Sequence, residues 1–348
     1  MKNSKIFLFQ ENNNFNLINY VYHMINRSKT TQNLYSCGSS KLTPFAVDSM
    51  VADLAVKIVV SDCRIDLIGQ IRKNRKDIFT AFVTHSDKSN PQDQYYDSLD
   101  LMKKNSLNLV CSINKKTGLS LVVAPEETTY YVDFNQSNSL KGFFDIISFR
   151  SNLNFTRSQV VPGDLVSWLS SEVPDSFRTV INHCIKNNAY KPFGNSTAGH
   201  FAVKKDNNTF LTSIRRSNFN NIDSVGLVKV VTEGKDKVIA YGAKPSVGGQ
   251  SQRIIFENHP ELDCILHFHC PILANSKVPI ASQKEFECGS HECGVNTSKN
   301  LGKFGNLHAV YLDNHGPNIV FHNSIDPKEV VEFVNNNFSL KDKTGDFI

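Results

Sequence analysis

Residues 263–271 read DCILHFHCP, and two histidines separated by one residue make this stretch the most informative part of the chain. Residues 262–269 are apolar enough to predict a buried strand, in which positions i and i+2 face the same side. His267 and His269 would therefore project together, roughly 6.6–6.8 Å apart at the backbone. Two imidazoles at that separation can converge on one ion with bonds of about 2.0–2.1 Å. The stretch predicts part of a metal site on a buried strand.

A third histidine further along the chain completes the predicted ligand set. Residues 309–316 read AVYLDNHG, and the first four predict a strand. His315 would lie just beyond the end of that strand, where a ligand site can be open. An isolated histidine pair of this kind is more often a pair of ordinary core residues, so the metal interpretation depends on His315 and on the surrounding sequence.

Four stretches carry a resemblance to a known family. They are STAGHFAVK at 196–204, KPS at 244–246, HPELDCILHFHCP at 259–271 and LHAVYLDNHG at 307–316. In this order they resemble the loop T-x-G-N-x-S-x-R, the turn K-P-S-S-E, the strand R-P-D-V-x-A-V-x-H-T-H-S-P and the motif A-V-L-L-x-N-H-G of the class II aldolase/adducin family. The resemblance covers about residues 175–340 and implies an α/β/α domain.

The same resemblance implies a ligand set and a cofactor. In the family, the histidines of H-x-H and N-H-G bind a divalent metal, usually zinc. That metal acts as a Lewis acid on a carbonyl or enediolate oxygen. Carried over, the ligands are His267, His269 and His315, and zinc is the expected cofactor.

Three positions depart from the family pattern. Gly248 stands where the family has its catalytic glutamate, and Gln252 stands where some members have a further histidine. His200 replaces an asparagine that contacts phosphate in the family. A general acid or base typically contributes a factor of about 10²–10⁴, so the missing carboxylate has to be replaced from elsewhere.

A cluster of glutamate, cysteine and histidine offers such a replacement. Residues 286–294 read FECGSHECG, and either Glu287 or Glu292 would act as the proton carrier. Two alternatives remain for this segment: a flexible polar loop at the surface, and a separate Cys/His zinc knuckle.

An anion-binding side is predicted next to the metal. Residues 211–218 read LTSIRRSN and occupy the place of the family's phosphate loop. Arg215 would bind an anionic group there, because a guanidinium can engage phosphate through two hydrogen bonds. Gly199, His200 and Ser246 would line the same side. The alternative is a solvated basic turn.

The N-terminal half predicts a strand at 79–85, a helix at 94–104 and further strands at 107–112 and 119–124. Strand, helix and strand at this spacing imply a right-handed βαβ unit and a parallel sheet.

Residues 65–131 also resemble the C-terminal part of phosphopantothenate–cysteine ligases, whose strand V-G-F-x-x-E-T and segment D-L-I-x-A-N-D-V match 80–84 and 103–114. That family's Asn-Asp pair is Ile113-Asn114 here, and residues 1–60 hold a single glycine where a nucleotide loop would need several. A degenerate ligase-like domain, with or without an altered ligand site, is the expectation.

These observations predict the α/β class: a Rossmann-like parallel-sheet domain followed by a class II aldolase-like α/β/α domain. At 348 residues two domains are the natural expectation. We expect boundaries at 1–150 and 151–340, with a loose tail at 341–348.

Composition limits the partners. A net charge of +5 over 348 residues gives no electrostatic argument for nucleic acid. No segment approaches a membrane span, and the apolar run at 6–9 is too short for a secretory signal. Most cysteines lie in apolar stretches, which is typical of reduced thiols in a cytoplasmic protein.

Two functions are compatible with the sequence. The first is a divalent-metal-dependent lyase or isomerase that acts on a small hydroxy-carbonyl compound, with or without a phosphate group. The alternative is a catalytically silent, adducin-like binding or assembly module, so enzymatic activity is left open. The family resemblance also implies a homo-oligomer, typically a tetramer.

Overall fold

A computed structural model describes residues 6–10, 34–38, 56–60, 79–105, 107–133, 136–154, 158–234 and 237–344. The chain divides into two compact units, one that ends at Asn152 and one that begins at Leu153. Residues 61–78, where the ligase-like resemblance begins, lie outside the described residues.

The described strands of the first unit form a seven-stranded sheet in the order β2-β1-β3-β4-β5-β6-β7. They are β1 (Ile6–Gln10), β2 (Leu34–Gly38), β3 (Val56–Val60), β4 (Phe79–Ser86), β5 (Leu109–Asn114), β6 (Ser120–Val123) and β7 (Thr129–Val132). The two described helices are α1 (Pro91–Asn105) and α2 (Ser137–Ser151).

The predicted βαβ unit is present in this sheet. Strands β4 and β5 pair in parallel and α1 joins them. Helix α1 buries Tyr95, Leu99 and Met102 against Phe82 and Val110, so its apolar face follows the helical spacing read from the sequence.

The expectation of a parallel sheet is wrong for the last two strands. Strand β5 pairs antiparallel with β6, and β6 pairs antiparallel with β7. The connections at 115–119 and 124–128 are too short for the crossover that a parallel pair needs. Gly118 serves this turn with a φ of +71°. The sheet is therefore mixed, and the Rossmann-like and ligase-like assignments stay predictions.

The second unit is built on a larger mixed sheet. Its described strands are β8 (Ser158–Val161), β9 (Pro192–Phe193), β10 (Ser196–Thr197), β11 (His200–Lys204), β12 (Thr209–Thr212), β13 (Val228–Glu233), β14 (Lys237–Tyr241), β15 (Cys264–His267), β16 (Ile280–Ala281), β17 (Gly302–Phe304), β18 (Leu307–Leu312) and β19 (Gly316–Phe321). Its described helices are α3 (Asp175–Lys186), α4 (Ile222–Val225), α5 (Gln250–Asn258), α6 (His291–Lys299) and α7 (Pro327–Asn337), with 3-10 helices at Phe219–Asn221 and Ser246–Gly249.

Ten of these described strands share one sheet. The main path runs β16-β18-β19-β15-β11-β12-β13-β14-β8, and β17 pairs with β18. Strand β15 lies between β19 and β11, antiparallel to both. The strand with the histidine pair therefore occupies the interior of the sheet, where both of its faces are covered.

Alternating side chains of β15 pack against helices on opposite faces of the sheet. Leu266 packs in the cluster that contains Val180 of α3 and Val334 of α7. Ile265 packs in the cluster that contains Ile255 of α5. This two-sided burial explains why the stretch reads as an uninterrupted apolar run.

Within the part of the chain that the structure describes, no helix has the length and apolar character needed to cross a membrane.

Candidate metal centre

Strand β15 ends at His267, two residues earlier than the sequence predicts, and both neighbouring strands cause this. The registers pair His267 with His200 and with Asn318. The next residue, Phe268, would therefore face Gly199 on one side and Pro317 on the other. Pro317 has no N–H to donate, and Gly199 has a φ of +107°, outside the range of a strand. His269 consequently leaves the ladder and turns toward the centre.

The structure brings the three predicted ligands together. The ring centroids of His267, His269 and His315 lie 4.5–5.0 Å apart. One nitrogen from each ring lies within 4.8 Å of those of the other two, and all three side chains are buried. We call this set the metal centre.

A backbone carbonyl sets the tautomer of His267. Its Nδ1 lies 2.7 Å from the carbonyl oxygen of Pro317, which can only accept, so Nδ1–H donates. The lone pair then resides on Nε2, which is buried and has no hydrogen-bond partner among the described residues. Metal-binding histidines are typically oriented by such a carbonyl. The orphaned nitrogen therefore fits a bound divalent ion.

Burial also keeps the imidazoles in the neutral form that binds metal. Desolvation, followed by the neighbouring histidines, lowers the pKa values of His200 and His267 well below the usual range. The same causes, with His315 the largest neighbour and Lys343 a smaller one, lower the pKa of His269.

Two glycines let the backbone close around the strand. A Cβ on Gly316, whose φ is +145°, would lie 2.1 Å from the carbonyl oxygen of Phe268. A Cβ on Gly199 would lie 2.5 Å from the carbonyl oxygen of His267. Neither approach is possible with a side chain, so both glycines support the position of the ligands.

His200 lies beside the metal centre. Its ring centroid is 4.8 Å from that of His267, and its Nδ1 lies 3.0 Å from Nε2 of Gln252. Two of the three residues that depart from the family pattern thus form one buried pair. The prediction that His200 lines the anion-binding side stays untested.

The position of the missing glutamate is conformationally unusual. Gly248 lies in the 3-10 helix Ser246–Gly249, and its neighbour Val247 has a φ of +45°, which is rare for a β-branched residue. A Cβ on Gly289 would lie 3.2 Å from the carbonyl oxygen of Val247. The segment that contains Glu287 therefore packs against this helix, and Glu287 itself is buried.

Glu292 is engaged elsewhere. It lies in the first turn of α6, and its Oε2 accepts a hydrogen bond of 2.9 Å from the backbone N of Asn154. The backbone N–H of His291 in turn donates to the carbonyl oxygen of Asn154. Glu292 thus fastens residue 154 to the start of α6.

The predicted anion-binding residues meet a lysine that the sequence analysis did not single out. The backbone N–H of Arg215 donates to the carbonyl oxygen of Lys244 at 2.9 Å. Desolvation, and then the charges of Arg215 and Arg216, lower the pKa of Lys244. The hydroxyls of the buried Ser213 and Ser246 are 3.0 Å apart. Lys244 is the first residue of the K-P-S turn, and that motif was the available signal.

The C-terminal segment differs from the predicted loose tail. The backbone N of Thr344 donates to the carbonyl oxygen of His269 at 3.2 Å, and Ser339 N donates to Pro271 O at 2.9 Å. Thr344 is buried. Residues 341–344 are therefore held along the metal centre, and residues 345–348 lie outside the described part of the chain.

Comparison with known proteins finds a family similar to this region. Residues 181–332 match the family described as Class II Aldolase and Adducin N-terminal domain. The matched residues include all four motifs and the three histidines of the metal centre. Among solved structures, an L-fuculose 1-phosphate aldolase is similar, with 22% identity and a TM-score of 0.34, over 48% of this chain and 82% of that chain. No curated protein sequence matches the chain.

Proposed function

We propose that the second unit is a divalent-metal-dependent lyase or isomerase that acts on a small hydroxy-carbonyl compound. The observation that carries this proposal is the convergence of His267, His269 and His315, with an orphaned nitrogen on His267. A divalent ion held there, most simply zinc, would polarise a carbonyl oxygen as a Lewis acid. A silent, adducin-like module has no need of such a buried set, so we do not favour that alternative.

Glu287 is our proposed proton carrier. It is buried, and its segment packs on Val247, beside the position where the family carries its glutamate. A carboxylate in such a place can take a proton from the substrate carbon or hydroxyl and return it to the product. Glu292 is the weaker candidate, because it is only half-buried and lies on α6, bound to Asn154, rather than in the segment that packs on Val247.

The charged group at 215–216 and 244 would orient an anionic substrate. Arg215, Arg216 and Lys244 are close enough for their charges to act on one another. A phosphate would relieve this repulsion and accept hydrogen bonds from the guanidinium groups. A phosphorylated substrate is therefore the form we favour. Assembly into a homo-oligomer remains a prediction from the family resemblance.

Metal content tests the proposal first. Elemental analysis of the purified chain should find one equivalent of divalent metal that depends on the metal centre, and His269→Ala should lose that equivalent. If the wild type binds no divalent metal at the metal centre, the enzymatic proposal fails and a binding role takes its place.

Activity tests the assignment of the proton carrier. A panel of sugar phosphates and hydroxy-carbonyl compounds should be assayed with Glu287→Gln and, as a matched control, Glu292→Gln. We expect kcat to fall by about 10²–10⁴ in Glu287→Gln with metal content unchanged, and to remain near the wild-type value in the control. An unchanged kcat in Glu287→Gln would rule out this residue.

A further inference from the structure

A second group of metal-ligating side chains lies in the same unit, away from the metal centre. His259, Glu261 and His308 each offer one ligand atom, and these atoms lie within 4.8 Å of one another. We call this group the outer cluster. Its residues are partly or fully exposed, so ions can reach it from solvent.

The outer cluster lies at the opposite end of strand β18 from the metal centre. His308 is the second residue of β18, whereas His315 follows the end of that strand. Positions 308 and 312 of an extended strand are about 13 Å apart, at roughly 3.3 Å per residue. The two sites therefore do not share ligands.

A backbone carbonyl sets the tautomer of His259, as it does for His267. Nε2 of His259 lies 3.1 Å from the carbonyl oxygen of Ser298, an acceptor only, so Nε2–H donates. The lone pair then resides on Nδ1, which is 3.9 Å from Oε1 of Glu261. A nitrogen lone pair and a carboxylate oxygen thus lie side by side on the turn between α5 and β15.

His308 supplies a second nitrogen. Its Nδ1 is buried and has no hydrogen-bond partner among the described residues. Its ring lies nearly perpendicular to that of His259, with centroids 5.7 Å apart. An unsatisfied buried nitrogen is unfavourable unless a donor or a cation occupies its lone pair.

One neighbour opposes cation binding. Lys303 of β17 pairs in register with His308. Desolvation is the main cause that lowers the pKa of His308, and the neighbouring His259 and the charge of Lys303 lower it further. The lowered pKa keeps the imidazole neutral, which favours ligation, while the ammonium repels the ion. The exposed carboxylate of Glu261 offsets that repulsion.

We propose that His259, Glu261 and His308 form a second divalent transition-metal site, of the kind that takes zinc. Two imidazole nitrogens and one carboxylate oxygen match the ligand preferences of Zn²⁺. The bound ion would link the turn that precedes β15 to strand β18. It would thereby stabilise these two strands at the ends that lie away from the metal centre.

Stoichiometry tests this site independently of activity. The full chain is stripped with a chelator, and Zn²⁺ is titrated by calorimetry, with elemental analysis after gel filtration. Wild type should bind two equivalents. His308→Gln and His269→Ala should each bind one, and the double variant none. His322→Gln is the matched control, because His322 is also exposed and lies 3.6 Å from a carboxylate of Asp263, outside the cluster; it should bind two.

Two results would overturn the proposal: wild type that saturates at one equivalent, or two equivalents retained in both His308→Gln and Glu261→Gln. Unfolding curves measured in chelator identify any variant that does not fold. If His308→Gln does not fold, the test uses Glu261→Gln, because Glu261 is exposed. If the outer cluster binds no metal, the result for His269→Ala does not change, and the proposed function is unaffected.

Discussion

The metal centre and the outer cluster, the two proposed sites for a divalent ion, lie at the two ends of β18. The metal centre uses three buried imidazoles, and the outer cluster uses two imidazoles and a carboxylate near the surface. In each, one histidine N–H donates to a backbone carbonyl, that of Pro317 or that of Ser298. The two sites therefore fix a histidine tautomer in the same way, but they differ in burial and in their third ligand.

Burial explains why we assign chemistry to one site and bracing to the other. In the metal centre the three imidazoles are buried, and in such low-dielectric surroundings an ion would act strongly on a substrate oxygen. In the outer cluster, solvent and Lys303 weaken the same effect. The metal centre should therefore hold its ion more tightly, and a chelator should remove metal from the outer cluster first.

The largest expected effect tests the rigidity of the metal centre. Gly316→Ala places a Cβ against the carbonyl oxygen of Phe268 in a backbone conformation that L residues rarely adopt. We expect a loss of more than about 2 kcal/mol in unfolding free energy, since strain of this kind exceeds that of an ordinary surface change. Thermal unfolding should show it as a fall in Tm of roughly 4–8 °C.

Gly305→Ala is the matched control for that change. Gly305 also has a positive φ, +59°, but nothing lies within 4 Å of the added Cβ. Its effect should stay near the roughly 1–2 kcal/mol of a left-handed alanine. Equal losses in the two variants would show that the close approach at Gly316 does not matter.

A smaller effect is expected at the pair beside the metal centre. Gln252→Ala removes the hydrogen bond to His200, whose ring packs on that of His267. Support of this kind typically changes metal affinity by about tenfold, and the outer cluster should be unaffected. Competition titration with a chromophoric chelator measures both sites, and a complete loss of tight binding would instead indicate that His200 or Gln252 ligates the ion.

The smallest effect is expected in the outer cluster. Lys303→Gln removes the opposing charge, and zinc should bind there a few-fold more tightly, in line with about 0.2–1 kcal/mol for an exposed charge. Lys328→Gln, exposed on α7, is the control. The gain should shrink at high salt because exposed charges are screened, and a salt-independent gain would contradict an electrostatic cause.

Much of the local structure could be read from the sequence. Strands β4 and β5 and helix α1 were predicted to within a few residues because apolar periodicity is a local property. Helix α2 was not predicted. Residues 137–151 include four serines, a glycine and β-branched residues, which give little helical signal, and the buried positions of Phe143 and Ile147 are defined by packing. The end of β15 at His267 was also missed, because it depends on which residues face Phe268 from two other strands.

The sequence by itself determined which side chains to expect in the metal centre, because the spacing in 267–269 is a local pattern and the surrounding motifs, with His315, carry the family resemblance. Tertiary structure alone decided the rest. Glu292 meets Asn154 across 138 residues of chain, and His259 meets His308 only because α5 and β18 reach the same end of the sheet. Periodicity specifies a face of a strand or helix, whereas the partner across that face depends on register and packing between distant segments.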